Sequence, residues 1–196
     1  MMQIPLFPLN TVLFPDGLLP LKIFEQRYMD MTKACLRDAT PFGVCLIKEG
    51  QEVGTEAVPE SIGTLASITD WDMPQLGVLQ IKARGGQRFY INSYKDNGTG
   101  LLIGEVTLLD AEPEIKLPEE HQTCATALRS LMHKAGEDHF FSPPRFDSAS
   151  WVGQRLAELL PVPLPVKQMM LELSDSKMRL GTMHQFLHRM GLLKTN

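Results

Sequence analysis

The residues of this sequence that could do chemistry form only small, incomplete groups. His184 and His188 are four residues apart in the string HQFLH, which is the spacing of paired zinc ligands on a helix. That string lacks the glutamate that H-E-x-x-H uses as a general base. We therefore interpret both histidines as structural residues of a helix and predict no metal site.

Two carboxylates, Asp70 and Asp72, flank Trp71 and could in principle act as an acid–base pair. The surrounding string DWDMPQLG is polar and contains a proline and a glycine, so we interpret it as a solvated hairpin tip. The thiols are equally unpromising as nucleophiles, because each cysteine stands among apolar residues, where a thiol is inert. We predict that they are buried and reduced: Cys35, Cys45 and Cys124.

No phosphate loop of the form G-x-x-x-x-G-K-[ST] and no G-x-S-x-G elbow occurs in the sequence. Gly98, Gly100 and Gly104 miss the G-x-G-x-x-G spacing and precede a predicted strand instead of a helix. We therefore expect a protein that is not an enzyme and that uses no cofactor.

Composition excludes further classes of protein. The chain has 196 residues and a net charge of −4, whereas nucleic-acid binders carry a basic surface. No apolar run reaches the roughly 20 residues that span a bilayer. The start MMQIPLFPL has no basic segment of the kind that opens a secretory signal. We expect a soluble, cytoplasmic protein with no nucleic-acid or membrane partner.

The first half of the chain has the pattern of short strands. FGVCLIKE (42–49) is continuously apolar, Ile62–Thr69 is a weaker strand, and 76–84 alternates between apolar and polar residues. We predict that Gly85-Gly86 makes a tight turn to a partner strand, 89–94, and that Asp96-Asn97-Gly98 turns into a strand over 101–110. The polar segment 50–61 reads as a loop. This pattern predicts a small, mostly antiparallel barrel.

After residue 110 the composition changes. The segment 110–120 has five carboxylates and two prolines and is predicted to be a linker. Beyond it the apolar period becomes helical, in four stretches that begin near residues 118, 148, 166 and 176. We therefore predict an α+β protein in which residues 1–112 form a β-barrel subdomain with one helix and residues 113–196 form a helical bundle.

The opening stretch, 4–31, is the element on which we expect the barrel to depend. Four prolines exclude a long helix in its first half, whereas Phe24, Tyr28, Met31 and Cys35 follow a helical period. We predict that these four residues share one helix face, that this face seals the barrel, and that the helix ends near residues 38–40.

These strings carry a family resemblance. PLFPLNTVLFP followed by LPLKIFEQRYMDM resembles the opening of the amino-terminal domain of Lon ATP-dependent proteases, including Glu25, Arg27 and Tyr28 of the IFE-x-RY motif. Lys22 and Gln26 depart from the histidine and the proline that are usual there. The similarity continues through FGVCLI, GQRFYI and LPVPLPVKQMMLELSDSKMRL, and therefore covers nearly the whole chain.

The resemblance implies a PUA-like Lon N-domain barrel and a module that binds unfolded or partly folded polypeptides, with a Lon-type ATPase as a further partner. Because the sequence has no ATPase or Ser–Lys protease motif, we expect a free-standing, non-catalytic substrate-binding domain. Fold similarity to small RNA-binding barrels leaves RNA binding as the alternative function.

We expect the peptide contacts to come from apolar residues in predicted loops. The alternative is that these side chains pack between the barrel and the bundle. The candidates are Trp71, Met73 and Leu76, together with the neighbouring Pro74, in one loop and Phe140 and Phe141 in another.

Overall fold

A computed structural model describes residues 1–52, 57–141 and 143–193. The chain divides into two compact units, Met1–Asp110 and Ala111–Asn196. The first unit contains the strands and one helix, and the second contains the remaining helices. No helix within the described residues is both long enough and apolar enough to cross a membrane.

The first unit is built from seven strands: β1 Met2–Leu9, β2 Leu18–Ile23, β3 Phe42–Glu49, β4 Val58–Pro59, β5 Ile62–Gln75, β6 Val78–Asp96 and β7 Leu102–Leu108. Five of them are hydrogen-bonded in the order β1-β7-β6-β5-β3, and β3 pairs back with β1. These five strands therefore form a closed ring, which confirms the predicted mostly antiparallel, barrel-like fold. Among the strand pairs of the described residues, β1–β3 is parallel and the others are antiparallel. β2 adds to β6, and β4 to β3.

One helix, α1 (Gln26–Asp38), packs its apolar face on this sheet. The buried residues Tyr28, Met31 and Cys35 confirm most of the predicted face. The prediction is wrong for Phe24, which precedes the helix and is 57% exposed. Residue 24 is outside the helix because β2 extends to Ile23 and the helix begins only after Glu25.

The predicted turn at Gly85-Gly86 is also wrong, because β6 runs without interruption from Val78 to Asp96. A Cβ atom on Gly85 would lie 2.1 Å from the carbonyl oxygen of Phe14. The Gly85 amide donates to the Gly17 carbonyl, and the Asp16 amide donates to the Gly85 carbonyl. Glycine is therefore needed here for close packing against the segment after β1, and not for a reversal of the chain.

Other local predictions have mixed outcomes. β3 has the bounds predicted, and Gly98 adopts a φ of +91° in the turn before β7. Within the predicted loop 50–61 the structure places β4, while residues 53–56 lie outside the described residues. The string DWDMPQLG forms the solvent-exposed end of a hairpin, as interpreted, but only Leu76 and Gly77 make its turn, because β5 continues to Gln75.

The second unit confirms the predicted helical composition. Two short 3-10 turns, Glu119–His121 and Glu137–His139, accompany its helices. Ser148 and Asp175 cap two of these helices by accepting backbone N–H hydrogen bonds. The helices are α2 Gln122–Ala135, α3 Ala149–Leu159, α4 Leu164–Glu172 and α5 Ser176–Arg189.

A buried ion pair ties the start of this unit to its last helices. Arg179 on α5 donates to both carboxylate oxygens of Glu112 at 2.8 and 2.6 Å, and only 1% and 5% of the two side chains are exposed. The same guanidinium donates to the carbonyl oxygens of Met170, in the last turn of α4, and of Leu173, which directly follows that helix. Ser150 on α3 also donates to Glu112. The segment predicted as a free linker is therefore anchored at this residue.

Candidate functional site

The β5–β6 hairpin continues beyond the barrel. On one side β5 pairs with β3 only at residues 64–66, whereas on the other side it pairs with β6 as far as Gln75. Within the described residues, β5 from Ser67 to Gln75 therefore has a partner strand on one edge only. β2 covers the other edge of the first half of β6. The result is a three-stranded extension in the order β2-β6-β5.

This extension carries exposed apolar side chains. Trp71 is 56% exposed, Met73 39% and Leu76 95%. All three belong to the same hairpin, so the structure brings together the residues that the sequence placed in one loop. We call these three residues the hairpin patch.

The hairpin patch is continuous with the core of the first unit. Trp71 pairs with Ile81, and Ile81 pairs in turn with Leu21 on β2. Directly paired residues share a face of a sheet, so the three form one apolar row. Ile81 is buried, and the half-buried Leu21 packs against the core cluster. Through Trp71, the patch is therefore joined to residues that are packed in the core of the first unit.

The opposite face of the hairpin is charged. Asp70 and Asp72 alternate with Trp71, which places them on the other side of the strand. Asp70 lies 3.6 Å from the Nζ of Lys82, and both side chains are exposed. Asp72 accepts a hydrogen bond from the backbone N–H of Met73 at 2.8 Å. The two carboxylates, Asp70 and Asp72, therefore have separate partners and do not share a contact of the kind an acid–base pair would need.

The tip of the hairpin is a two-residue turn. Gln75 pairs with Val78, which leaves Leu76 and Gly77 between the strands. Gly77 adopts a φ of +84°, a conformation that glycine takes without steric cost. Leu76 is therefore held at the end of a tight turn, where its side chain is almost fully accessible.

The other two candidate residues, Phe140 and Phe141, belong to the second unit. They follow the 3-10 turn Glu137–His139, and both are half-buried. The structure thus places the five candidates in two separate units. Their role in binding stays a prediction.

Sequence reasoning missed two apolar residues beside the hairpin patch. Phe24 directly follows β2, whose last residue, Ile23, pairs with Leu79 near the tip of the hairpin. Leu21 was assigned only to the family motif, although the alternation in LLPLKI already indicated a strand with one apolar face. Phe24 was missed because its spacing from Tyr28 also fits a helix.

The first unit also contains a cleft of about 610 Å³, and several of the polar groups that line it form hydrogen bonds or ion pairs with one another. Arg27 donates to the carbonyl oxygen of Gly100 at 2.8 Å and forms an ion pair with Glu25 at 2.9 Å. Its guanidinium lies 4.6 Å from the ring centroid of Tyr28, and that ring stacks on Phe7 at 3.9 Å. The motif residues Glu25, Arg27 and Tyr28 therefore join α1 to the turn before β7.

No three His, Cys, Asp or Glu residues cluster as metal ligands within the described part of the chain. The His184 ring lies 5.3 Å from that of His121, and burial together with the nearby His184 lowers the pKa of His121. His188 is exposed.

The three cysteines are free and buried, as predicted. Burial raises the pKa of the Cys35 and Cys45 thiols and raises that of Cys124 to about 11. A raised pKa keeps each group in the protonated form, which is the poor nucleophile.

Comparisons with known proteins agree with this architecture. The chain is 34% identical to the protein in a structure described as a Lon N-terminal domain protein from Xanthomonas campestris, with a TM-score of 0.79 over 94% of this chain and 98% of that one. It also matches the N-terminal domain of Mycobacterium avium complex Lon protease, with a TM-score of 0.65 over 93% and 96% of the two chains. That pair is only 16% identical and shows the shared fold alone.

Among curated proteins, Lon protease from Erwinia amylovora is 26% identical over 190 residues, which are 91% of this chain. The present chain spans only 24% of the length of that relative. Residues 3–189 match the family model described as the ATP-dependent protease La (LON) substrate-binding domain. Because this match covers almost the entire sequence, the chain belongs to the Lon substrate-binding domain family.

Proposed function

We propose that this protein is a non-catalytic module that binds unfolded or partly folded polypeptides through the hairpin patch. The observation that carries the proposal is the exposure of Trp71, Met73 and Leu76 on one rigid hairpin. Exposed apolar clusters of this kind mark interaction sites more often than isolated surface residues do. Membership of a substrate-binding domain family supports the same function.

The chemistry of the patch suits varied partners. Met73 is flexible and polarisable and can adapt to different side chains, while Trp71 offers a large rigid surface. The patch is small, and an unfolded partner loses conformational entropy when it is ordered. We therefore expect dissociation constants of about 1 μM or weaker.

The first prediction concerns Trp71→Ala. This substitution should weaken binding of an unfolded protein several-fold, because it removes the largest apolar contact surface of the patch. It should leave the melting temperature nearly unchanged, because the side chain is more than half exposed. The measurement is a fluorescence-anisotropy titration with labelled, reduced and alkylated ribonuclease A, which cannot refold; the folded, disulfide-bonded enzyme serves as the negative probe.

Met178→Ala is the matched control, because Met178 is 58% exposed but lies on α5 in the second unit. It should bind like the wild type, and added ATP should change neither titration. The proposal is wrong if Met178→Ala weakens binding as much as Trp71→Ala does. A large drop in the melting temperature of Trp71→Ala would instead assign Trp71 to the core.

A further inference from the structure

We infer that the polypeptide binds as an added β-strand along the open edge of β5, residues 67–75, and that this edge favours a strand in which apolar and basic residues alternate. The inference rests on the proposed function and specifies the mode and chemistry of binding at the same site. In this mode, backbone hydrogen bonds supply affinity and alternate side chains supply selectivity.

The first support is the edge itself. From Ser67 onward β5 has β6 on one side and, within the described residues, no strand on the other. Nine residues of extended chain span about 30 Å, enough for a partner strand of ordinary length. The outer strand at the opposite side of the extension, β2, carries Pro20, which cannot donate a ladder hydrogen bond. Pro74 lies only near the end of the β5 edge.

The second support is the backbone of this edge. The Met73 amide donates to the side chain of its own neighbour, Asp72, at 2.8 Å. A buried or paired strand does not need such a substitute acceptor, since the ladder provides a carbonyl. A partner strand could supply that acceptor and leave the Asp72 carboxylate available to a cation.

The third support is the pattern of side chains. Trp71 falls on one face of β5, and Asp70 and Asp72 fall on the other. A strand laid beside them would place its apolar residues next to Trp71 and its basic residues next to the carboxylates, where opposite charges stabilise cross-strand pairs.

The same carboxylates disfavour a second copy of this chain as the occupant. An antiparallel self-pair centred on Trp71 would bring Asp70 of one copy opposite Asp72 of the other. Like charges directly opposite one another destabilise a sheet. The occupant that fits the edge is therefore a different, basic polypeptide segment.

The experiment uses synthetic ten-residue peptides titrated into the full chain. One alternates Val and Lys, a second alternates Val and Glu, and a third has the composition of the first in a scrambled order. Two more carry backbone N-methyl groups on alternate residues of the Val/Lys peptide, in the odd or the even positions. A strand at an edge uses the amides of only every second residue. We therefore expect one methylated series to lose at least ten-fold in affinity and the other to bind nearly as well as the parent.

A second experiment tests the role of charge with the double variant Asp70→Lys/Asp72→Lys. This variant should bind the Val/Glu peptide more tightly than the Val/Lys peptide, which reverses the preference of the wild type. Loss of folding could not produce such a reversal. The double variant Glu49→Lys/Glu105→Lys has the same charge change on exposed residues of β3 and β7 and should keep the original preference.

Each outcome separates the inference from the proposed function. Equal binding of both methylated peptides, or of the scrambled peptide, would overturn the strand-addition mode but leave polypeptide binding standing. An unchanged preference in the double aspartate variant would overturn the assigned edge. If alkylated ribonuclease A itself does not bind to the wild type, the proposed function fails first.

Discussion

Arg179→Met should destabilise the second unit by about 3–5 kcal/mol, because it removes the positive charge that is ion-paired with the buried carboxylate of Glu112. The substitution also removes the donor that the Met170 and Leu173 carbonyl oxygens share. The total stability of a domain is only about 5–15 kcal/mol, so a large part of the unit's stability depends on this contact.

The change can be followed in the second unit alone. Trp151 is buried on α3, so its fluorescence reports that unit once Trp71→Phe has removed the other tryptophan. Urea denaturation of this background with and without Arg179→Met gives the difference in free energy of unfolding. Arg189→Met, an exposed arginine of the same helix, should change it by less than about 0.5 kcal/mol.

A double-mutant cycle then tests the cause. Glu112→Gln with Arg179→Met should cost less than the sum of the two single changes, because each single change leaves the other charge unpaired. Strict additivity would show that the two side chains act independently, and the buried ion pair would not be the reason for the loss.

Phe89→Ala should destabilise the first unit by about 3–5 kcal/mol. Phe89 is fully buried, and a Cβ atom added at Gly43 or Gly63 would lie 2.7 Å from its ring. The ring therefore fills the space directly above two strands, and its removal leaves a cavity that the glycines cannot fill. Urea denaturation followed by far-ultraviolet circular dichroism measures the effect.

Phe24→Ala is the matched control, because this phenylalanine is 57% exposed. It should change the free energy of unfolding by less than about 0.5 kcal/mol. Similar losses from both substitutions would mean that Phe24 belongs to the core after all, as the helical spacing first indicated.

The two phenylalanines also show what the sequence could and could not predict. The period of four between Phe24 and Tyr28 fits a helix, but periodicity does not locate the first residue of a helix. Here the pairing of β2 with β6 keeps the chain extended as far as Ile23. The continuous apolar run of β3, in contrast, was predicted with its correct bounds, because such a run fits a strand covered on both faces.

Gly85 shows a second limit. A Gly-Gly pair between two alternating segments is a strong local signal for a turn. The structure uses Gly85 for close approach to Phe14, a residue 71 positions earlier in the sequence. A contact at that sequence separation leaves no local pattern, so the sequence predicts a turn at Gly85-Gly86 where β6 in fact continues.

For the candidate site, residue type was more informative than secondary structure. Trp71, Met73 and Leu76 were chosen as apolar residues in a loop, and the structure places Trp71 and Met73 in a strand with exposed side chains. These side chains lie in the part of β5 that extends beyond its pairing with β3, which ends at Ala66. Where that pairing ends depends on tertiary structure, which the sequence does not encode locally. The open edge of β5 could not be foreseen for the same reason.

The measurement that tests the central claim most directly is amide hydrogen exchange of the full chain with and without saturating alkylated ribonuclease A. If the hairpin patch binds polypeptide, exchange should slow in residues 67–79, while the fully buried strand residues around Phe42 and Phe89 should be unaffected. Slower exchange confined to any other segment, with no change in 67–79, would contradict the assignment of the hairpin as the binding site.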